Sequence, residues 1–169
     1  MRFFISSDIR KNTLLKLIVA FTILFFVFLW LTNLLLYLKI GFSYESVVEY
    51  YRGSEESFRP PRSYLGLLEE AHFHFFSMAI ILVTLNHLLL FVNLNNIYKF
   101  ILIIGSFASA FGDIAGGWLI RYVAPQFAYF KIASVIILQI TLALLMIIVF
   151  YYLFSLQNNN NSDEKSGYI

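Results

Sequence analysis

The chain has 169 residues, of which 60% are hydrophobic and only 13% charged, with a formal net charge of +2. An ordinary soluble domain is about 25% charged, so a typical solvated surface is excluded, and without a basic block so is a nucleic-acid partner. No cysteine is present, which removes disulfides, zinc knuckles, iron–sulfur clusters and thiol nucleophiles together. With a mean hydropathy of +0.76, the composition points to an all-α integral membrane protein embedded in a lipid bilayer.

Charge-free runs define the elements. Lys16 and Lys39 enclose 22 uncharged residues, Glu70 and Lys99 enclose 28, and Lys131 and Asp163 enclose 31. Between Lys99 and Arg121 lie 21 residues with one charge, Asp113. A helix needs about 20 mainly apolar residues to cross the hydrocarbon core. Four transmembrane helices in an antiparallel bundle are therefore expected, at about 15–38, 70–94, 99–122 and 130–155. The first is too long for a secretory signal and no small-residue cleavage site follows it, so it reads as a retained span. The bundle forms one domain, 1–156, and the polar, Asn-rich segment 157–169 reads as a disordered cytoplasmic tail.

The outer loop, 40–69, is expected to hold a short amphipathic helix. Ser43 is a suitable N-cap and Gly53 a suitable stop. Tyr44, Val47, Val48 and Tyr51 share one face, suited to the membrane surface or to the mouth of the bundle. After Arg59-Pro60-Pro61-Arg62, Ser63 can cap a helix running from Tyr64 to Asn93. Basic residues are evenly divided between the two sides. The first span's leading flank, with Arg2, Arg10, Lys11 and Lys16, breaks the tie and places both termini in the cytoplasm.

The ionisable residues concentrate at the start of the second span, Glu69-Glu70-Ala71-His72-Phe73-His74. Glu69 and His72 share one helix face, and Glu70 and His74 another. A Glu-x-x-His pair is half of a carboxylate-bridged di-metal motif, but no second half exists. A mononuclear site for a transition metal or a haem b, using His72 or His74 with Glu69 or Glu70, stays open. The bland alternative is a solvated collar that ends the span. His87, roughly 20 Å further along the axis, is expected to lie inside the hydrocarbon and to face the bundle, either hydrogen-bonded to Asn86 or Asn93 or as a further metal or haem ligand.

Span three carries Gly105, Ser109, Gly112 and Gly116, a small-residue stripe that lets another helix approach closely. Asp113 is the only acid deep in any span. It must be neutral, paired or facing water, serving either an ion pathway or a structural hydrogen bond. Antiparallel packing puts it at the level of Ile80, between the two histidine levels, and leaves Arg121 at the outer end within reach of Glu69 or Glu70.

Tyr50-Tyr51-Arg52-Gly53, then Leu67-Leu68-Glu69-x-Ala71-His72-Phe73-His74-x-Phe76-Ser77-Met78, then Asp113-Ile114-Ala115-x-x-Trp118-Leu119-Ile120-Arg121-Tyr122, resemble a group of small, uncharacterised four-span membrane proteins of bacteria. The resemblance implies the four-span fold and residence in the bacterial cytoplasmic membrane, and supplies no activity. No hydrolase elbow, phosphate loop or His-Glu-x-x-His signature is present, so nothing supports a hydrolase, and whether the chain is an enzyme stays open on the side of no. Three readings follow: a small redox-associated or metal- or haem-binding subunit built around His72, His74 and His87, a non-catalytic accessory subunit in a homo-oligomer or larger membrane complex, and a proton or ion pathway through Asp113 with His87 and Glu70 as relay candidates.

Overall fold

The computed structural model describes residues 13–155; the tail and the leading basic flank, apart from Lys16, lie outside them. Five helices follow in order: α1 Thr13–Ile40, α2 Tyr44–Arg52, α3 Tyr64–Leu89, α4 Asn96–Tyr122 and α5 Phe127–Phe154. All but α2 are long and apolar enough to cross a membrane. The caps explain the boundaries. The Ser43 side chain accepts from Ser46 N–H at the start of α2, and the Ser63 side chain accepts from Gly66 N–H at the start of α3. Each satisfies a donor that the first helical turn leaves open. Gly53, at φ +80°, ends α2 by donating its N–H to the Glu49 carbonyl.

One expected boundary moves. Helix α3 stops at Leu89 rather than at Asn93. The N–H groups of Leu90, Phe91 and Val92 turn back to carbonyls three residues earlier, which tightens the last turn. Asn95 then caps α4 by accepting from Ile97 N–H. Asparagine side chains compete with helical hydrogen bonds and favour such caps, so the segment around Asn93 and Asn95 turns instead of extending the span.

Helix α2 sits on the mouth of the bundle. Val47 and Tyr51 are buried against Leu67 of α3, Ile120 of α4 and Ala128 of α5. Its last residue, Arg52, donates from Nε to the Ile120 carbonyl at 2.6 Å, satisfying a carbonyl that the end of α4 leaves open. A second and larger apolar cluster fills the other end, with Ile81, Leu85, Leu89, Leu145 and Val149 fully buried. Between the two clusters lies a polar layer, and the glycines of α4 create its space. A Cβ on Gly116 would stand 2.9 Å from Lys131 Cβ and 3.1 Å from its Cα, and a Cβ on Gly112 would meet Ser134 Oγ at 2.5 Å. A Cβ on Gly105 would find Thr141 at 3.7 Å, an ordinary contact. Gly117 plays the same part for α2, since the Tyr51 ring would lie 2.9 Å from its Cβ.

Candidate functional site: a buried ionisable centre under helix α2

Asp113 is 1% exposed and lies nine residues before the end of α4, about 13 Å along the axis. A lone carboxylate at that depth is costly and demands partners. Lys131, five residues into α5 and 3% exposed, is the main one. Because α4 and α5 touch at Gly116, the lysine stem crosses directly to α4. Its Nζ donates to Asp113 Oδ1 at 2.5 Å, to the Asp113 carbonyl at 2.7 Å and to Tyr37 Oη at 3.1 Å. All three ammonium hydrogens are thereby used. Tyr37, from the last turn of α1, donates its own hydroxyl hydrogen to Asp113 Oδ1 at 2.5 Å. The ammonium also lies 5.4 Å from the ring centroids of Tyr37 and Tyr51, so two aromatic faces complete its cage.

The second carboxylate oxygen has a different neighbour. His74 Nε2 stands 3.0 Å from Asp113 Oδ2, without the alignment that a hydrogen bond requires. This corrects the expected level of Asp113: it meets His74 itself rather than falling between the two histidine levels. The expectation assumed parallel-sided helices in simple register, and α3 packs on α4 in a different one.

A cavity of about 10 Å³ lies beside this pair, lined by Tyr51, Glu70, His74, Asp113, Trp118 and Lys131 among others. That is about the room one water needs, and its polar walls suit one. Glu70 is 35% exposed and carries the cavity to the surface. Arg62 Nη2 stands 3.7 Å from Glu70 Oε2 and also donates to the Tyr50 hydroxyl. A second cavity of about 10 Å³ flanks Lys131 on its other side, between Tyr37, Gly41 and Tyr51. Tyr51 is 1% exposed. Removal from water pushes its phenol well above the ordinary value, with the Lys131 charge opposing that rise.

The remaining sequence candidates are dispersed. Glu69 and His72 are exposed on the outer flank of α3, where the His72 ring stands near-perpendicular to that of Phe73. His87 is exposed as well, in the last turn of α3 and against Phe91. It does not face the interior; because α3 ends early, it stands near the helix end. Asn86 takes the interior position instead, donating to Ser106 Oγ at 3.1 Å. Among the described residues Arg121 forms no ion pair with a glutamate. Its Nε donates to the Arg62 carbonyl at 3.0 Å, and Arg62 approaches Glu70 in its place. Among the described residues no group of three His, Cys, Asp or Glu side chains is placed to hold a metal ion.

Below Asp113, α4 continues the polar line at helical spacing. Ser109 and Ser106 follow on the same face, both buried, and the Ser109 hydroxyl donates to the Gly105 carbonyl at 2.6 Å. Sequence reasoning missed Lys131, Tyr37 and Tyr51. No spacing in the sequence separates Lys131 from an ordinary flanking charge; its approach to Gly116 is a property of the fold.

Four apolar spans that enclose charged side chains, with an amphipathic helix over one end, define a multi-pass integral membrane protein. Residues 41–161 match the Aq_1264_TM family, a transmembrane helical domain, and the chain belongs to that family. No curated protein and no solved structure matches the chain.

Proposed function

We propose that this protein handles protons, with Asp113, His74 and Lys131 forming one station of a proton pathway that opens beneath α2. The observation that carries this reading is the unequal use of the Asp113 carboxylate. Oδ1 is held by Lys131 and Tyr37, while Oδ2 faces His74 at 3.0 Å beside space for one water. Lys131 supplies a fixed positive charge, and a proton exchanges between the carboxylate and the imidazole. Glu70 connects that pair to the surface. Toward the other end the route continues past Ser109 to Ser106 and Asn86, whose Oδ1 is buried without a partner. Leu89, Leu145 and Val149 then close the core, so conduction requires that end to open.

The metal or haem reading gains no comparable support, because His72 and His87 turn away from the bundle. Assembly with a second copy or a larger complex is a proposal tied to α1, whose most apolar stretch is only 17% buried within the chain. We also infer residence in the bacterial cytoplasmic membrane with both termini cytoplasmic. Lys131 is neutralised inside the bundle by Asp113, which lowers the effective basic count on the α2 side and favours that orientation.

The test is proton uptake into potassium-loaded proteoliposomes, driven by valinomycin and read by a trapped pH dye. Wild type should exceed protein-free vesicles, Asp113→Asn should not, and His72→Gln should match wild type. A wild type indistinguishable from protein-free vesicles overturns the proposal.

A further inference from the structure

We propose that the groove between the start of α1 and the end of α5 is a binding site for one anionic phospholipid, with an acyl chain in the groove and its phosphate on Lys16. The groove has a volume of about 600 Å³ and is lined almost wholly by apolar side chains, among them Ala20, Ile23 and Val27 of α1 and Met146, Phe150 and Tyr151 of α5. That volume falls within the roughly 300–1,000 Å³ typical of small-molecule sites.

Three observations select the occupant. The first is register. Lys16, Ala20, Ile23 and Val27 succeed one another by four, three and four residues, so the lysine heads the same α1 stripe that forms the groove wall. The second is length. From Leu17 to Val27 the wall rises by ten residue steps, about 15 Å, which is half of a hydrocarbon core of about 30 Å. A groove one leaflet deep with a cation at its outer end has the dimensions of a single lipid. The third is charge. Neither α1 nor α5 contains an acidic residue, and Lys16 forms no ion pair among the described residues. Tyr151, 73% exposed at the same end, offers a hydroxyl at the depth where tyrosines meet headgroups.

The groove opens between α1 and α5 at this end. Further along, Trp30 Nε1 donates to the Gln139 carbonyl at 3.0 Å and holds the two helices together. Ala20, half-buried, presents too little volume to refill the gap. The site is independent of the ionisable centre, which lies under α2 at the opposite end of the bundle.

The experiment is native mass spectrometry of the detergent-solubilised full chain, titrated with phosphatidylglycerol or with phosphatidylcholine of the same acyl chains. One phosphatidylglycerol should bind at least tenfold more tightly than phosphatidylcholine. Lys16→Gln should abolish that preference while leaving weak binding of both lipids, and Ala20→Phe should reduce both. Neither position is packed in the core, and an unchanged elution volume and melting temperature confirm that each variant folds. Equal affinity for the two lipids, or a preference that survives Lys16→Gln, overturns the proposal. A chain that is dimeric without lipid and monomeric as Ala20→Phe also overturns it, in favour of a second copy as occupant.

Discussion

Lys131 Nζ stands 2.5 Å from Asp113 Oδ1, and the two side chains are 4% and 1% exposed. Removing one member of such a buried pair strands the other charge, which typically costs about 3–5 kcal/mol, whereas removing both can be nearly neutral. Asp113→Asn and Lys131→Met should therefore each lower the melting temperature in detergent sharply. The double variant should recover most of the loss. A double variant as unstable as the sum of the singles would show that the pair matters through its packing instead of its charge.

A second prediction concerns the α4–α5 contact. Gly112→Ala and Gly116→Ala should each destabilise by about 1–3 kcal/mol, the usual cost of overpacking, because the added carbon meets Ser134 or the Lys131 backbone and stem. Gly105→Ala meets only Thr141 at 3.7 Å and should be near neutral. Thermal unfolding of the three variants side by side checks the order. Equal losses at all three positions would contradict it.

The four spans and the α2 cap were legible because uncharged run length and capping residues act locally. The centre was only half legible. Asp113 stands out as an acid within an apolar run, but a lysine near the start of a span reads as an ordinary flanking charge. Only the three-dimensional approach at Gly116 shows that its long stem turns back into the bundle. Tyr37 was hidden for the same reason, since a tyrosine near a span end reads as an interfacial anchor. The pairing of His74 with Asp113 depends on how α3 lies against α4, and no single helix carries that information.

Tyr51 makes a pH prediction. Its phenol is raised above the ordinary 10.0 by burial, so the neutral form is favoured in the folded state. Its stabilising contribution is complete below pH 10 and is lost as the pH climbs through the raised folded value. Each pH unit in that window should cost wild type about 1.4 kcal/mol relative to Tyr51→Phe. Melting temperatures of both proteins at pH 8 and pH 11 check the sign. A difference between them that stays constant would refute it.

The three histidines should behave unequally. His74→Gln removes the group facing Asp113 Oδ2 and should lower proton uptake at least tenfold, and Glu70→Gln should lower it less. His72→Gln and His87→Gln change exposed rings and should leave it unchanged. Proteoliposome uptake rates for the four variants make the comparison, and a large effect at His72 or His87 would move the route away from the α2 mouth.

The most direct measurement is valinomycin-driven proton uptake by the Asp113→Asn/Lys131→Met double variant, after its melting temperature has shown it to be folded. With the ion pair gone and the bundle intact, uptake should fall to the level of protein-free vesicles. A folded double variant that still takes up protons at the wild-type rate would contradict a pathway through Asp113.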